Sequence, residues 1–216
     1  WADHNPIKLT HYIRICSRDI IVSVVIIQSP SGVGRPISLL NVDYKIMATI
    51  LAERLKSVLS RVIHIDQNGF LPYRQIKTNT RTIMDILEYY EVHTTKTMAL
   101  IFLDVQKAFD NLNWNFLVKQ LTGMKFVEKF IGFIRTIYNM QTAKILINGE
   151  STDNIKINKG VRQGCPLAPL LYILAEETLL VQIRQNWEIR RLKIKKEEYK
   201  LQAFADDMAF ILEDPP

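Results

Sequence analysis

The sequence predicts an α+β chain in which an antiparallel-dominated sheet carries helices on one face. Three observations point there. Continuous or alternating apolar runs bounded by turn residues read as strands, notably MALIFLD (98–104) and LQAFADD (201–207). Long stretches with apolar residues at three- and four-residue spacing read as amphipathic helices, notably 42–63 and 169–185. From Met98 onward the order is strand, helix, hairpin, helix, strands, which suits a ferredoxin-like core.

Element by element, IIVSVVII (20–27) is rich in β-branched residues and far too short to span a bilayer, so it reads as a buried strand. SPSGVGRP (29–36) carries the Gly and Pro punctuation of a loop. A helix runs from Asn41 through VDYKIMATILAERLKSVLSRVI, where Ile46, Ile50, Leu51, Leu55, Val58 and Leu59 recur at helical spacing. DQNGFLPYRQ (66–75) has turn chemistry, and the period resumes as a helix over Thr80–Glu91. MALIFLD reads as a central strand that ends on a carboxylate. WNFLVKQLTG and EKFIGFIRTIYN read as two short helices. AKILINGESTDNIKI alternates about Asn148-Gly149 and reads as a hairpin. KGVRQGCPLAP is a loop, and the helix after it has Pro169 in its first turn. IRRLKIK is a short basic strand, after which Asp206-Asp207 sits where one strand turns into the next.

The chain has 216 residues, a formal charge of +6 and 48% hydrophobic residues. This composition fits a folded chain of one large or two small domains rather than a disordered one. The positive balance is compatible with a polyanionic partner. Cys16 and Cys165 have no metal-ligand neighbour at CxxC spacing, so an intracellular setting, nucleus or cytoplasm, is expected. No secretory pattern and no membrane span are expected. The sequence is silent on oligomeric state.

If LIFLD and LQAFADD are neighbouring strands, Asp104, Asp206 and Asp207 meet at one sheet edge. Three carboxylates in so small a space repel unless a cation neutralises them. Hard oxygen ligands suit Mg²⁺ or Mn²⁺, completed by water or phosphate oxygens. Two such ions about 3.5–4 Å apart serve in-line phosphoryl or nucleotidyl transfer.

AFADDMAF resembles the palm hairpin of reverse transcriptases, FLDVQKAFD their first palm motif, and GVRQGCPLAPLLYIL their second. GRPISLLNVDYKIMATILAERL and HIDQNGFLPYRQ are similar to the fingers segments upstream. Five segments in the family's order cover about 34–212, and RPISLLNVDYKI with DQNGF and RQGCPL resembles the non-long-terminal-repeat retrotransposon branch, of the long interspersed element type.

The resemblance implies the fingers and palm of a right-hand polymerase, with fingers over 1–97 and palm over 98–216, no thumb after the Asp pair, and RNA-templated DNA synthesis from deoxynucleoside triphosphates on an RNA template and DNA primer. It makes Asp104, Asp206 and Asp207 the Mg²⁺ (or Mn²⁺) ligands, with the Val105 carbonyl completing one sphere. Phe109 becomes the steric gate against a 2′-hydroxyl, and Gln163 and Gly164 border the nascent base pair. Arg35 reaches the triphosphate, and Arg74 with Gln75 lies along the template. Departures from the family are Ile173 where it has a polar residue, usually Asn, and no basic residue between Ile20 and Arg35.

Each residue also has a plainer reading. Phe109 is core, Arg35 and Arg74 are solvated, Asp110 caps a helix, Cys165 packs, and the basic run 184–196 either tracks a nucleic-acid backbone or is a solvated face. For the whole chain the alternative is a degenerate, catalytically inactive fragment that serves at most as a nucleic-acid or protein interaction module.

Overall fold

The computed structural model describes residues 21–26, 36–93, 97–147, 150–194 and 196–213. The elements in chain order are β1 (Ile21–Ile26), β2 (Pro36–Leu39), α1 (Val42–Val62), α2 (Ile76–Val92), β3 (Met98–Asp104), α3 (Ala108–Asn111), α4 (Trp114–Gly123) and α5 (Glu128–Ile137). There follow β4 (Thr142–Ile147), β5 (Glu150–Ser151), β6 (Ile155–Lys156), α6 (Ala168–Gln185), β7 (Leu192–Ile194), β8 (Glu197–Tyr199), β9 (Leu201–Phe204) and β10 (Asp207–Glu213). The chain divides into two compact units, residues 1–58 with 109–175, and residues 59–108 with 176–216.

In the first unit β1 pairs antiparallel with β2 and parallel with β4, and β4 pairs antiparallel with β5 and β6. The β4–β5 register, Ile147 opposite Glu150, is that of the hairpin expected about Asn148-Gly149, two residues outside the described set. The core is helical. Leu117 and Leu121 of α4 and Phe130, Ile131, Ile134 and Ile137 of α5 are buried, as their spacing predicts. Asn113 caps α4 by accepting the Phe116 N–H at 3.0 Å. That corrects the expectation for Asp110, which lies inside the one-turn helix α3, too early to reach the free N–H groups of α4.

In the second unit β3, β10 and β9 form an antiparallel sheet in that order. MALIFLD was expected to be central and is an edge strand, with Ile101, Phe102 and Leu103 exposed at 47%, 69% and 42%. A continuous apolar run signals burial on both faces, but neighbours across the sheet decide it. β10 takes the central place. Its Met208 packs with Leu201, Ala203 and Leu180 of α6 on one face. Its Ile211 packs with Ile86 of α2 and Leu192 on the other, so both faces of this small sheet carry a helix. The free side of β9 is covered by the 66–68 segment, where Gln67 bridges Ala203 in parallel. Asn68 N–H donates to the Ala203 carbonyl and Ala203 N–H to the Asp66 carbonyl, each at 2.8 Å.

Helix α2 begins four residues before the expected start, and its Asn79 is buried and donates to the Ala203 carbonyl at 2.9 Å. No helix among the described residues is long and apolar enough to cross a membrane.

Candidate catalytic centre

In the second unit the strand register does the assembling. Asp207 opens β10 and lies directly opposite Asp104, the last residue of β3. Directly opposed residues of an antiparallel pair point to the same face, with Cβ atoms about 4.5–5.5 Å apart. Both aspartates are exposed, and Asp206 is half-buried in the turn before β10. That turn is tight. Ala205 has φ +56°, the left-handed region that costs a non-glycine residue about 1–3 kcal/mol. Among the described residues no three His, Cys, Asp or Glu side chains are already gathered as a metal cage. The donor chemistry nonetheless fits a hard divalent cation, because Mg²⁺ takes one or two protein carboxylates and fills its sphere from water and phosphate.

Beneath the turn lies DQNG. Gln67 is fully buried. Its Oε1 accepts the Ala205 N–H at 2.9 Å and the Gly69 N–H at 2.7 Å. Its Nε2 donates to Glu176 at 2.7 Å and to the Ala205 carbonyl at 3.3 Å. A Cβ on Gly69 would stand 2.3 Å from the Ala205 nitrogen, so only glycine permits this approach.

The same loop is anchored by charge. Arg184 donates to both Asp66 oxygens at 2.6 and 2.8 Å, and to Glu177 at 2.7 Å. Burial pushes the Glu177 carboxyl above its ordinary range even with Arg184 beside it. Burial acts on Asp66 too, but hydrogen bonds from His64 and Arg184 outweigh it and hold that carboxyl low.

Other expected site residues of this unit are engaged locally. The Val105 carbonyl accepts the Ala108 N–H at 3.2 Å, and its side chain packs beside Met208. Arg74, expected along a template, donates to the carbonyls of His64 at 2.5 Å, Gln67 at 2.8 Å and Ile63 at 3.1 Å. Burial lowers its pKa. Gln75 is exposed at the N-cap position of α2 and makes no side-chain cap.

The first unit brings together Phe109 and the RQG loop. Val161 N–H donates to the Phe109 carbonyl and Gly160 N–H to the Leu112 carbonyl, each at 2.7 Å. Trp114 Nε1 donates to the Gly160 carbonyl at 2.7 Å. Gly160 adopts φ +90° with Asp110 against it, and Gly164 adopts φ +98°. Phe109 stacks on Tyr172, ring centroids 4.7 Å apart. The Gln163 carbonyl accepts the Ser38 N–H at 3.1 Å. Cys165 is buried against the Tyr44 hydroxyl at 3.4 Å. The Arg162 guanidinium lies over the Tyr44 ring, its pKa lowered by burial, and its three nitrogens have no hydrogen-bond partner among the described residues. Ile173, which replaces the family's polar residue, is fully buried. Arg35 lies outside the described residues.

Sequence reasoning passed over Gln67, Glu176 and the Asp66–Arg184–Glu177 triad. Their available signal was the Gln inside DQNGF, a residue that a solvated turn does not require.

The profile of the family described as reverse transcriptase (RNA-dependent DNA polymerase) matches residues 27–215. Over 180 residues the chain is 38% identical to the Transposon TX1 uncharacterized 149 kDa protein of Xenopus laevis, covering 83% of this chain and 14% of that protein. Over 206 residues it is 29% identical to the retrovirus-related Pol polyprotein from type-2 retrotransposable element R2DM of Drosophila melanogaster, covering 95% of this chain and 19% of that one. The chain thus spans under a fifth of these relatives. Among solved structures, apo telomerase from Candida tropicalis superposes with a TM-score of 0.62 at 14% identity, over 94% of this chain and 41% of the telomerase. That likeness shows the right-hand polymerase fold. With the profile match over nearly its whole length, this chain belongs to the reverse transcriptase (RNA-dependent DNA polymerase) family, in the branch carried by non-long-terminal-repeat retrotransposons.

Proposed function

We propose that the chain provides the nucleotide-adding centre for RNA-templated DNA synthesis, with a fingers-like region over 1–97 and a palm region over 98–216. The observation that carries this reading is the Asp104–Asp207 register at the sheet edge, with Asp206 adjacent. Asp104, Asp206 and Asp207 are the residues that would hold Mg²⁺ or Mn²⁺, and the Val105 carbonyl keeps a second lone pair for the same purpose. A bound divalent ion would supply charge neutralisation of the triphosphate and activation of the primer hydroxyl. Phe109, stacked on Tyr172, presents a flat apolar surface suited to a deoxyribose and hostile to a 2′-hydroxyl. Gly164, with positive φ and no side chain, lets backbone approach a base pair beside Gln163. Arg35 is assigned to the triphosphate, and Gln75 with Arg74 to the template side. The partners are an RNA template, a DNA primer and deoxynucleoside triphosphates.

The test is primer extension on an RNA template with Mg²⁺ or Mn²⁺, beside melting curves with and without metal. Template-dependent addition is expected for the wild type and not for Asp206→Ala. Mn²⁺ is expected to raise the melting temperature, and Asp104→Ala to remove the rise. A metal shift that persists in Asp104→Ala rejects the carboxylate site. Nucleic-acid binding without any addition selects the catalytically silent interaction module instead.

A further inference from the structure

Asp206 and Asp207 need a fixed turn, and the turn does not hold itself. Ala205 sits at φ +56° without the freedom of a glycine, so something outside the hairpin must over-determine it. The β9–β10 ladder closes at Phe204–Asp207, leaving Ala205 and Asp206 outside the strand bonds. One side chain reaches both polar groups of Ala205. Gln67 Oε1 accepts its N–H at 2.9 Å and Nε2 donates to its carbonyl at 3.3 Å. Gln67 is itself oriented from two sides. Glu176 accepts from Nε2 at 2.7 Å, which places the amide nitrogen and oxygen unambiguously, and Gly69 N–H donates to Oε1 at 2.7 Å. The whole arrangement is buried, so water does not substitute for a lost bond.

From this geometry we infer that Gln67 is a positioning residue for the carboxylate turn, holding Ala205 strained so that Asp206 and Asp207 project together beside Asp104. Its effect on metal rests on the proposed carboxylate site; its hold on Ala205 does not. Gln67→Met keeps the length and removes all four bonds. The double variant Gln67→Glu/Glu176→Gln keeps the net charge, reverses the bond to residue 176 and gives up the 3.3 Å bond to the Ala205 carbonyl, because a carboxylate only accepts. The new amide at 176 donates to the carboxylate at 67, whose oxygens still accept from Ala205 and Gly69.

Two readouts on the full chain test this. Native-state hydrogen exchange reports the Ala205 amide against the Ile211 amide, and Mn²⁺ titration followed by electron paramagnetic resonance reports the carboxylates. Gln67→Met is expected to speed Ala205 exchange relative to Ile211 by about tenfold, the size of one lost buried hydrogen bond, and to weaken Mn²⁺ binding by a similar factor. The double variant keeps the bond to the Ala205 N–H and is expected to bring both to within about threefold of wild type, short of it by the lost carbonyl bond. If Gln67→Met does not fold, the double variant alone decides, because it must hold Ala205 protection relative to Ile211 to within about threefold of wild type. Equal slowing or speeding of Ala205 and Ile211 exchange, with unchanged Mn²⁺ affinity, overturns the inference by showing only a general structural role. Wild-type protein that binds no Mn²⁺ through Asp206 rejects the metal site and with it Gln67's part in metal binding, while the exchange result still decides whether Gln67 holds the turn.

Discussion

Replacing Arg184 by Met should destabilise the second unit severely, and its size follows from what is left behind. Arg184 is 15% exposed and bridges Asp66, 10% exposed, and Glu177, 3% exposed. Without it two buried carboxylates share a site in which Asp66 keeps its contact with His64 and Glu177 only the His64 backbone N–H. Breaking a buried pair in this way costs about 3–5 kcal/mol. The lower end applies here, because the Arg74 guanidinium is close enough to feel both acids. With a urea dependence of about 2 kcal/mol per molar, a loss of about 3 kcal/mol moves the midpoint down by about 1.5 M. Arg184→Lys should lose less, since a single ammonium keeps the charge but cannot bridge both partners with a planar fork.

The pH dependence sharpens the test. Asp66 titrates below its ordinary value in the folded chain, so its stabilisation is present above the unfolded value near 3.8 and lost as pH falls through the depressed one. Glu177 is raised, so its ionisation is a cost that disappears as pH falls through its folded value, above the ordinary 4.5. In Arg184→Met both carboxyls move up, and protonating them relieves the variant. The gap between wild type and variant should therefore narrow from pH 7 to pH 5 in urea melts. A midpoint shift under about 0.5 M, or a gap that widens in acid, would refute the reasoning.

Two further outcomes are expected. Gly160→Ala places a Cβ 2.8 Å from the Asp110 carbonyl oxygen at φ +90°, so it should cost about 1–3 kcal/mol in denaturant titration; a neutral result would mean the loop relaxes freely. Phe109→Ala removes the ring stacked on Tyr172 and should raise ribonucleotide incorporation relative to deoxynucleotide in single-nucleotide extension, with unchanged discrimination counting against the gate.

Much of the fold was legible because it depends on local pattern. The spacing of Leu117, Leu121, Phe130, Ile131 and Ile134 specifies two helices and the faces they bury. Pro169 marks a helix start by backbone chemistry that needs no partner far away, whereas the cap of α4 was expected at Asp110 and is Asn113. Apolar runs locate strands but not their place in a sheet. MALIFLD looks central and lies at an edge, while DMAFILE, bounded by a charge at each end, lies in the middle. Pairing partners, not composition, assign that place.

From the sequence come the residues proposed for metal and nucleotide: the carboxylates at 104, 206 and 207, the aromatic at 109 and the RQG loop. The carboxylates are read from residue type and order, because hard cations select oxygen ligands; Phe109 and the RQG loop are implied by the resemblance to reverse transcriptases. Tertiary structure alone decided the register that sets Asp104 opposite Asp207, and the use of Arg74 on three carbonyls rather than on solvent. It also revealed Gln67, whose hydrogen-bond partners lie 109 and 138 residues away. A buried amide has no periodicity to announce it, and the Gln inside DQNGF does not say which distant groups it meets. Its role exists only once folding brings a distant strained turn within hydrogen-bonding reach.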